Sequence, residues 1–243
     1  MNEILRALPF ALAIVVYLAA ESRQEWPKLR SLCWIAGVFA AETAVLLMKR
    51  AHMDFTVHML VHLLLGMLAP LLLVLAAPVT LLLKTLPTAA ARQVTRFLRS
   101  PAVQVYHHPV VAALLNIGGL WVLYAGGLYG HMHHSPLLHT LIHIHVLFAG
   151  YLFTASIIYI DPVPSRFSFP YRATVFVLAL AGHGILTKYI YAHPPAGISA
   201  AQAEAGAMLM YYGGDLIDLL LIYMFCRQWF QKAQPRLSPA GTD

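Results

Sequence analysis

Apolar and polar positions along this chain fall in long blocks rather than in short alternation. Runs rich in Leu, Ala, Val and Ile recur near 4–20, 32–48, 56–83, 110–129, 137–159, 173–191 and 206–226. The short segments between them collect charge, proline and glycine. A hydrocarbon layer about 30 Å thick is crossed by roughly 20 apolar residues in a helix, so the pattern predicts seven spanning helices. The expected architecture is all-α: one integral-membrane bundle over residues 1–243, with a short disordered tail from about residue 234. Arg6 shortens the first apolar run to residues 7–20. That run has the length of a signal peptide ending at Ala20, but Glu3 and Arg6 cancel and leave a poor basic leader, so an uncleaved helix is expected.

Composition narrows the class. Of 243 residues, 60% are apolar and 11% charged, against about 45–50% and about a quarter in soluble domains. A soluble fold of this size cannot hide so much apolar surface. This excludes a soluble domain, a disordered chain and a nucleic-acid-binding module, despite the net charge of +6. Two cysteines, Cys33 and Cys226, make neither a disulfide framework nor a thiolate metal site.

The basic residues give the sidedness. Twelve lysines and arginines follow spans one, three, five and seven, from Arg23 to Arg236; only Arg6, Lys49, Arg50 and Lys188 lie on the other side. The positive-inside rule then predicts an outside N-terminus and a cytoplasmic C-terminus. Arg92, Arg96 and Arg99 share one helical face, with Val94, Phe97 and Leu98 turned away, which suits a short helix lying on the cytoplasmic leaflet.

Histidine is the compositional outlier, with thirteen in all. On the predicted topology only His107 and His108 lie inside. The other eleven lie outside or in the outer half of the membrane: His52, His58, His62, His131, His133, His134, His139, His143, His145, His183 and His193. His58 and His62 are spaced i, i+4 and so share a helical face, and His139 and His143 repeat that spacing. If their two helices are neighbours, four imidazoles converge, a donor set suited to copper, zinc, iron or nickel. His145 points to another face. Met53, Met59, Met132, Met208 and Met210 lie among or near these histidines, and thioether sulfur favours Cu(I). Histidines that hydrogen-bond across helices or relay protons, and methionines that merely fill the packing, remain the alternatives.

Four acids stand at or near the spans. Asp54 precedes His58 by four residues, where a carboxylate can orient an imidazole; Glu42, Asp215 and Asp218 are expected to be paired, cavity-facing or functional. Pro70 and Pro78 interrupt span three, and a kink there would open a cavity below His62. The Gly118-Gly119 and Gly126-Gly127 pairs read as close helix contacts.

These residues resemble the Bacillus-type CtaG family of cytochrome c oxidase assembly factors. The matching stretches are His58-Met59-x-x-His62 with Leu63-Leu64-Leu65 and Ala69-Pro70, Pro78-x-x-Leu81-Leu82-Leu83, Leu86-Pro87, and the basic run ending Leu98-Arg99-Ser100-Pro101. Leu120-Trp121, His139-x-x-x-His143 with Gly150-x-x-Phe153, and Gln202, Ala205-Gly206 and Met208 follow in the same order. The likeness covers roughly residues 55 to 215. It departs at Ala201, where the family pattern has an acid, and the 131–134 loop is richer in histidine. The resemblance implies a seven-helix protein that is not an enzyme and that helps to mature a heme–copper oxidase by handling copper at the outer face. The implied partners are oxidase subunits, an extracytoplasmic copper donor and the bilayer, with no nucleic acid. The candidate ligands for copper, as Cu(I), are His58, His62, His139 and His143, with Met59, His131, His133 and His134 as entry ligands. Two rivals stay open: an intramembrane zinc hydrolase with Asp54 or Glu42 as base, and a b-type heme protein.

Overall fold

A computed structural model describes residues 3–132 and 134–233; His133 and the tail expected to be disordered lie outside the described residues. Among these residues the chain is entirely helix, turn and loop. In chain order the helices are α1 (Glu3–Glu21), α2 (Lys28–Ala51), α3 (Phe55–Leu75), α4 (Pro78–Thr85), α5 (Thr88–Leu98), α6 (Pro101–Tyr106), α7 (Pro109–Tyr124), α8 (Leu128–Met132), α9 (Pro136–Ile157), α10 (Phe169–Ala192) and α11 (Ala200–Ala233). Five of them, α2, α3, α9, α10 and α11, are long and apolar enough to cross a membrane; the stretches Ala7–Glu21 in α1 and Pro109–Tyr124 are shorter apolar helices.

Local sequence sets the helix starts. Asp54 caps α3, accepting from Thr56 N at 2.8 Å and Val57 N at 3.2 Å. Ser135 caps α9 and Ser168 caps α10, each followed by a proline in the first turn. Such oxygens satisfy amides that have no carbonyl partner in the first turn, and proline there gives up no bond.

The third apolar run is not one helix. It ends at Leu75, Ala77 takes a left-handed conformation with φ 54°, and Pro78 opens α4. A proline cannot donate to the turn before it, so the apolar run over 56–83 divides here, at the second of the two prolines expected to interrupt it. Tyr17 Oη donates to the exposed-by-the-break carbonyl of Ala76 at 2.7 Å, and Trp26 Nε1 donates to Tyr17 Oη at 2.9 Å. Asp161, from the loop after α9, accepts from Val79 N at 3.2 Å and Thr80 N at 2.7 Å, capping α4 from a distance. Upstream, Pro70 is met by a π-helical stretch over Leu64–Leu68, and α7 carries a second over Leu114–Gly118. Wider turns of this kind accommodate a lost hydrogen bond and are frequent at functional sites.

Helix α3 is central, packed between α2, α9 and α11. At its crossing with α9, a side chain at Gly150 would collide with Gly66 O, and one at Gly66 would lie 2.8 Å from Val146 Cγ1. These glycines let two helices approach to backbone contact. The bundle has a histidine-rich end, where α2, α7 and α10 finish and α3, α9 and α11 begin, and a basic end. At the basic end the arginines of α5 and Arg99 are exposed, Val94 and Leu98 are half-buried, and Phe97 is exposed. Also there, Arg172 is buried over the Tyr159 ring at 4.1 Å and donates to Ile157 O.

Candidate functional site

The start of α3 sets His58 and His62 one turn apart on the face toward α7, α9 and α10. The start of α9 supplies His139 and His143. Between them runs a row of rings. His52, at the end of α2, stacks on His139 with centroids 4.4 Å apart, and His139 lies 4.2 Å from His143. His143 meets His58 edge-on at 6.2 Å.

Hydrogen bonds orient these rings. His143 Nδ1 donates to His139 O at 2.8 Å, which leaves Nε2 of the neutral ring with its lone pair, as a metal ligand requires. His58 Nε2 lies 3.0 Å from Tyr124 Oη, and its ring sits 5.0 Å from that of Tyr129. Burial holds the Tyr129 phenol protonated, pushing it up to about 12.

The row opens outward and continues inward. An open cleft of about 600 Å³ is lined by His52, His139, His143, Met48 and Met132. A smaller cavity is bordered by His58, His62 and His143, together with Tyr124. Beyond it lies a third, bordered by His62 and His183 with Asn116, Thr154 and Asp218. This third cavity sits below His62, next to the π stretch that accommodates Pro70.

Thus the structure brings together His58, His139 and His143, and turns His62 toward His183, whose ring is 6.3 Å away. Met59 is fully buried among Phe55, Leu120 and Met210, against Gly206. His131 is exposed and donates from Nδ1 to Gly127 O at 3.1 Å; His134 is exposed. His133 lies outside the described residues. No group of three or more His, Cys, Asp or Glu side chains among the described residues is placed to hold one ion; the histidines approach in pairs. His145 donates to Leu115 O at 3.0 Å, on a separate face as its spacing predicts. Asp54 serves as the cap of α3, Glu42 is half-buried, Asp215 is exposed, and Asp218 is buried at the third cavity.

Sequence reasoning did not select His52, Tyr124 or His183 as site residues. His183 carried a usable signal: it is an ionisable group well inside a span, flanked by Gly182 and Gly184. Tyr124 carried none, because only the packing of α7 on α3 places it by an imidazole.

The family model for the cytochrome c oxidase caa3 assembly factor (Caa3_CtaG) matches residues 11–232. An uncharacterised protein of Mycobacterium leprae is 34% identical over 232 residues, covering 84% of this chain and 34% of the relative. Uncharacterised proteins of Mycobacterium bovis and Mycobacterium tuberculosis are each 33% identical over 169 residues, 65% of this chain and 25% of theirs. The chain therefore spans about a quarter to a third of the length of these curated relatives. No solved structure matches. The chain belongs to the family of cytochrome c oxidase caa3 assembly factors.

Proposed function

From that membership as premise, we propose that this protein receives Cu(I) at the histidine-rich end of its bundle and passes it toward a heme–copper oxidase during assembly. The observation that carries this reading is the unbroken row His52–His139–His143–His58, which leads from an open cleft to a buried pair. Copper is cargo here, and the protein is a metallochaperone rather than an enzyme. Cargo must be released, and imidazoles that meet in pairs can exchange an ion one ligand at a time. A closed set of three or four ligands holds metal more firmly, as in structural zinc sites. This pairwise arrangement favours copper transfer over a zinc hydrolase, which needs three protein ligands around one ion.

The ligands are His58, His62, His139 and His143. The 131–134 histidines act in entry, and Met48 and Met132 add soft sulfur along the cleft wall, whereas Met59, expected as an entry ligand, is fully buried in the apolar core away from that cleft. The protein is a multi-pass protein of the bacterial inner membrane, with α1 and α7 completing seven spans. The histidine-rich end faces outward, toward an extracytoplasmic copper donor. The excess of lysine and arginine at the opposite end supports this orientation.

The test is elemental analysis and an optical spectrum of detergent-purified protein, wild type beside the His58→Ala/His62→Ala variant. The expected result is copper at one or two ions per chain, reduced in the variant, with no heme band. In cells the same variant should stay in the membrane yet lower mature oxidase. Zinc in place of copper, a sharp heme band, or normal oxidase in the variant would each overturn the proposal.

A further inference from the structure

The row of histidines does not stop at His58. One turn deeper, about 10 Å from the start of α3, His62 faces His183 of α10 across the third cavity. His62 is 6% exposed and His183 4%. Nε2 of each ring is buried and has no hydrogen-bond partner among the described residues. An unpaired buried polar atom costs about 1–3 kcal/mol, so two bordering one cavity call for an explanation.

Both rings rest where glycine makes room. A Cβ on Gly66 would lie 3.3 Å from His62 Nδ1 and Cε1, and one on Gly214 would lie 2.7 Å from His183 Cε1. The π turns of α3 and α7 add Met67 and Asn116 to the same wall, and α11 adds Asp218. A centroid separation of 6.3 Å accommodates one ion bound by both rings at metal–nitrogen distances near about 2.0 Å.

The geometry points to a second soft-metal site inside the bundle, in which Nε2 of His62 and Nε2 of His183 hold one Cu(I), with the Met67 thioether on the cavity wall as a further ligand. The site rests on the reading of the chain as a copper carrier and extends it, since His143, which also lines the entry cleft, and His62, which also lines the inner cavity, border one small cavity with His58. His62 is thereby the hinge of the path, shared by the outer group and the inner pair. Asp218 lines the same cavity, but oxygen is the poorer donor to Cu(I).

The test is an anaerobic titration of the purified full chain with Cu(I), supplied as its acetonitrile complex against a competing chelator. Wild type should bind two ions. His183→Leu should bind one, with outer-site affinity kept. His139→Ala/His143→Ala should also bind one, and X-ray absorption of that sample should show a nitrogen-dominated, low-coordinate Cu(I). Gly214→Ala keeps every ligand but crowds the His183 ring, and should weaken one of the two ions by tenfold or more. That variant decides the matter if His183→Leu does not fold. One ion in wild type, lost with His139 and His143 and unaffected by His183→Leu or Gly214→Ala, would overturn the inner site and leave the outer one standing. No bound ion in wild type would overturn both.

Discussion

Tyr124 Oη and His58 Nε2 lie 3.0 Å apart, both buried, at the point where α7 closes over the start of α3. The phenol fixes the rotation of the ring that ends the outer row and determines which of its nitrogens is engaged. Tyr124→Phe keeps the volume and removes the hydrogen bond. A loss of about 1 kcal/mol in stability is expected, with roughly ten- to hundredfold weaker Cu(I) binding, the usual cost of removing an outer partner of a ligand. Chelator competition and thermal unfolding in detergent would separate the two effects. Copper affinity equal to wild type would mean that the tyrosine only packs.

Gly150 tests the close crossing that brings the histidine helices together. A methyl group there would strike Gly66 O, a backbone atom that cannot swing aside. Gly150→Ala should therefore destabilise by about 1–3 kcal/mol, as overpacking does, and should weaken copper binding because α3 and α9 separate. A melting temperature within a degree of wild type would show that the helices part without cost.

At the basic end, burial raises the Asp161 carboxyl above its ordinary range even though Thr80 and Val79 donate to it. The folded chain thus holds this proton more tightly than the unfolded chain. Its contribution to stability is greatest below the unfolded value of about 3.9 and is lost as pH rises through the higher folded value. The melting temperature of wild type, measured against Asp161→Asn, should fall as pH is raised from about 4. Asp161→Ala should lose the cap at all pH values, at about 0.5–2 kcal/mol. A wild-type-minus-Asn difference that grows with pH would reverse the sign and refute the assignment.

The orientation is open to a direct check. Single cysteines placed at His131 and at Arg92 in a Cys33→Ala/Cys226→Ala background should label from opposite sides of intact cells. The first should react with a membrane-impermeant maleimide and the second only after lysis. The reverse pattern would place the histidine-rich end in the cytoplasm and remove the route to an extracytoplasmic donor.

The residue types along the chain were enough to establish an apolar, all-helical bundle with histidines at one end and arginines at the other. Hydropathy, charge and capping are local properties: Asp54, Ser135 and Ser168 start their helices whatever packs against them later. Local pattern also placed His58 with His62 and His139 with His143 on shared faces. It did not carry the break at Ala77, which needs the left-handed residue and the distant Asp161 cap as well as Pro78. Nor did it reveal which imidazoles meet. Residues i and i+4 share a face but differ by about 6 Å along the axis, so each meets different neighbours on the helices that cross α3. At one level α7 and α9 present Tyr124 and His143 to His58; one turn down, α10 presents His183 to His62. Crossing angles, the glycine contact at Gly66 and Gly150, and the two π turns set those levels, and all three arise between helices rather than within one.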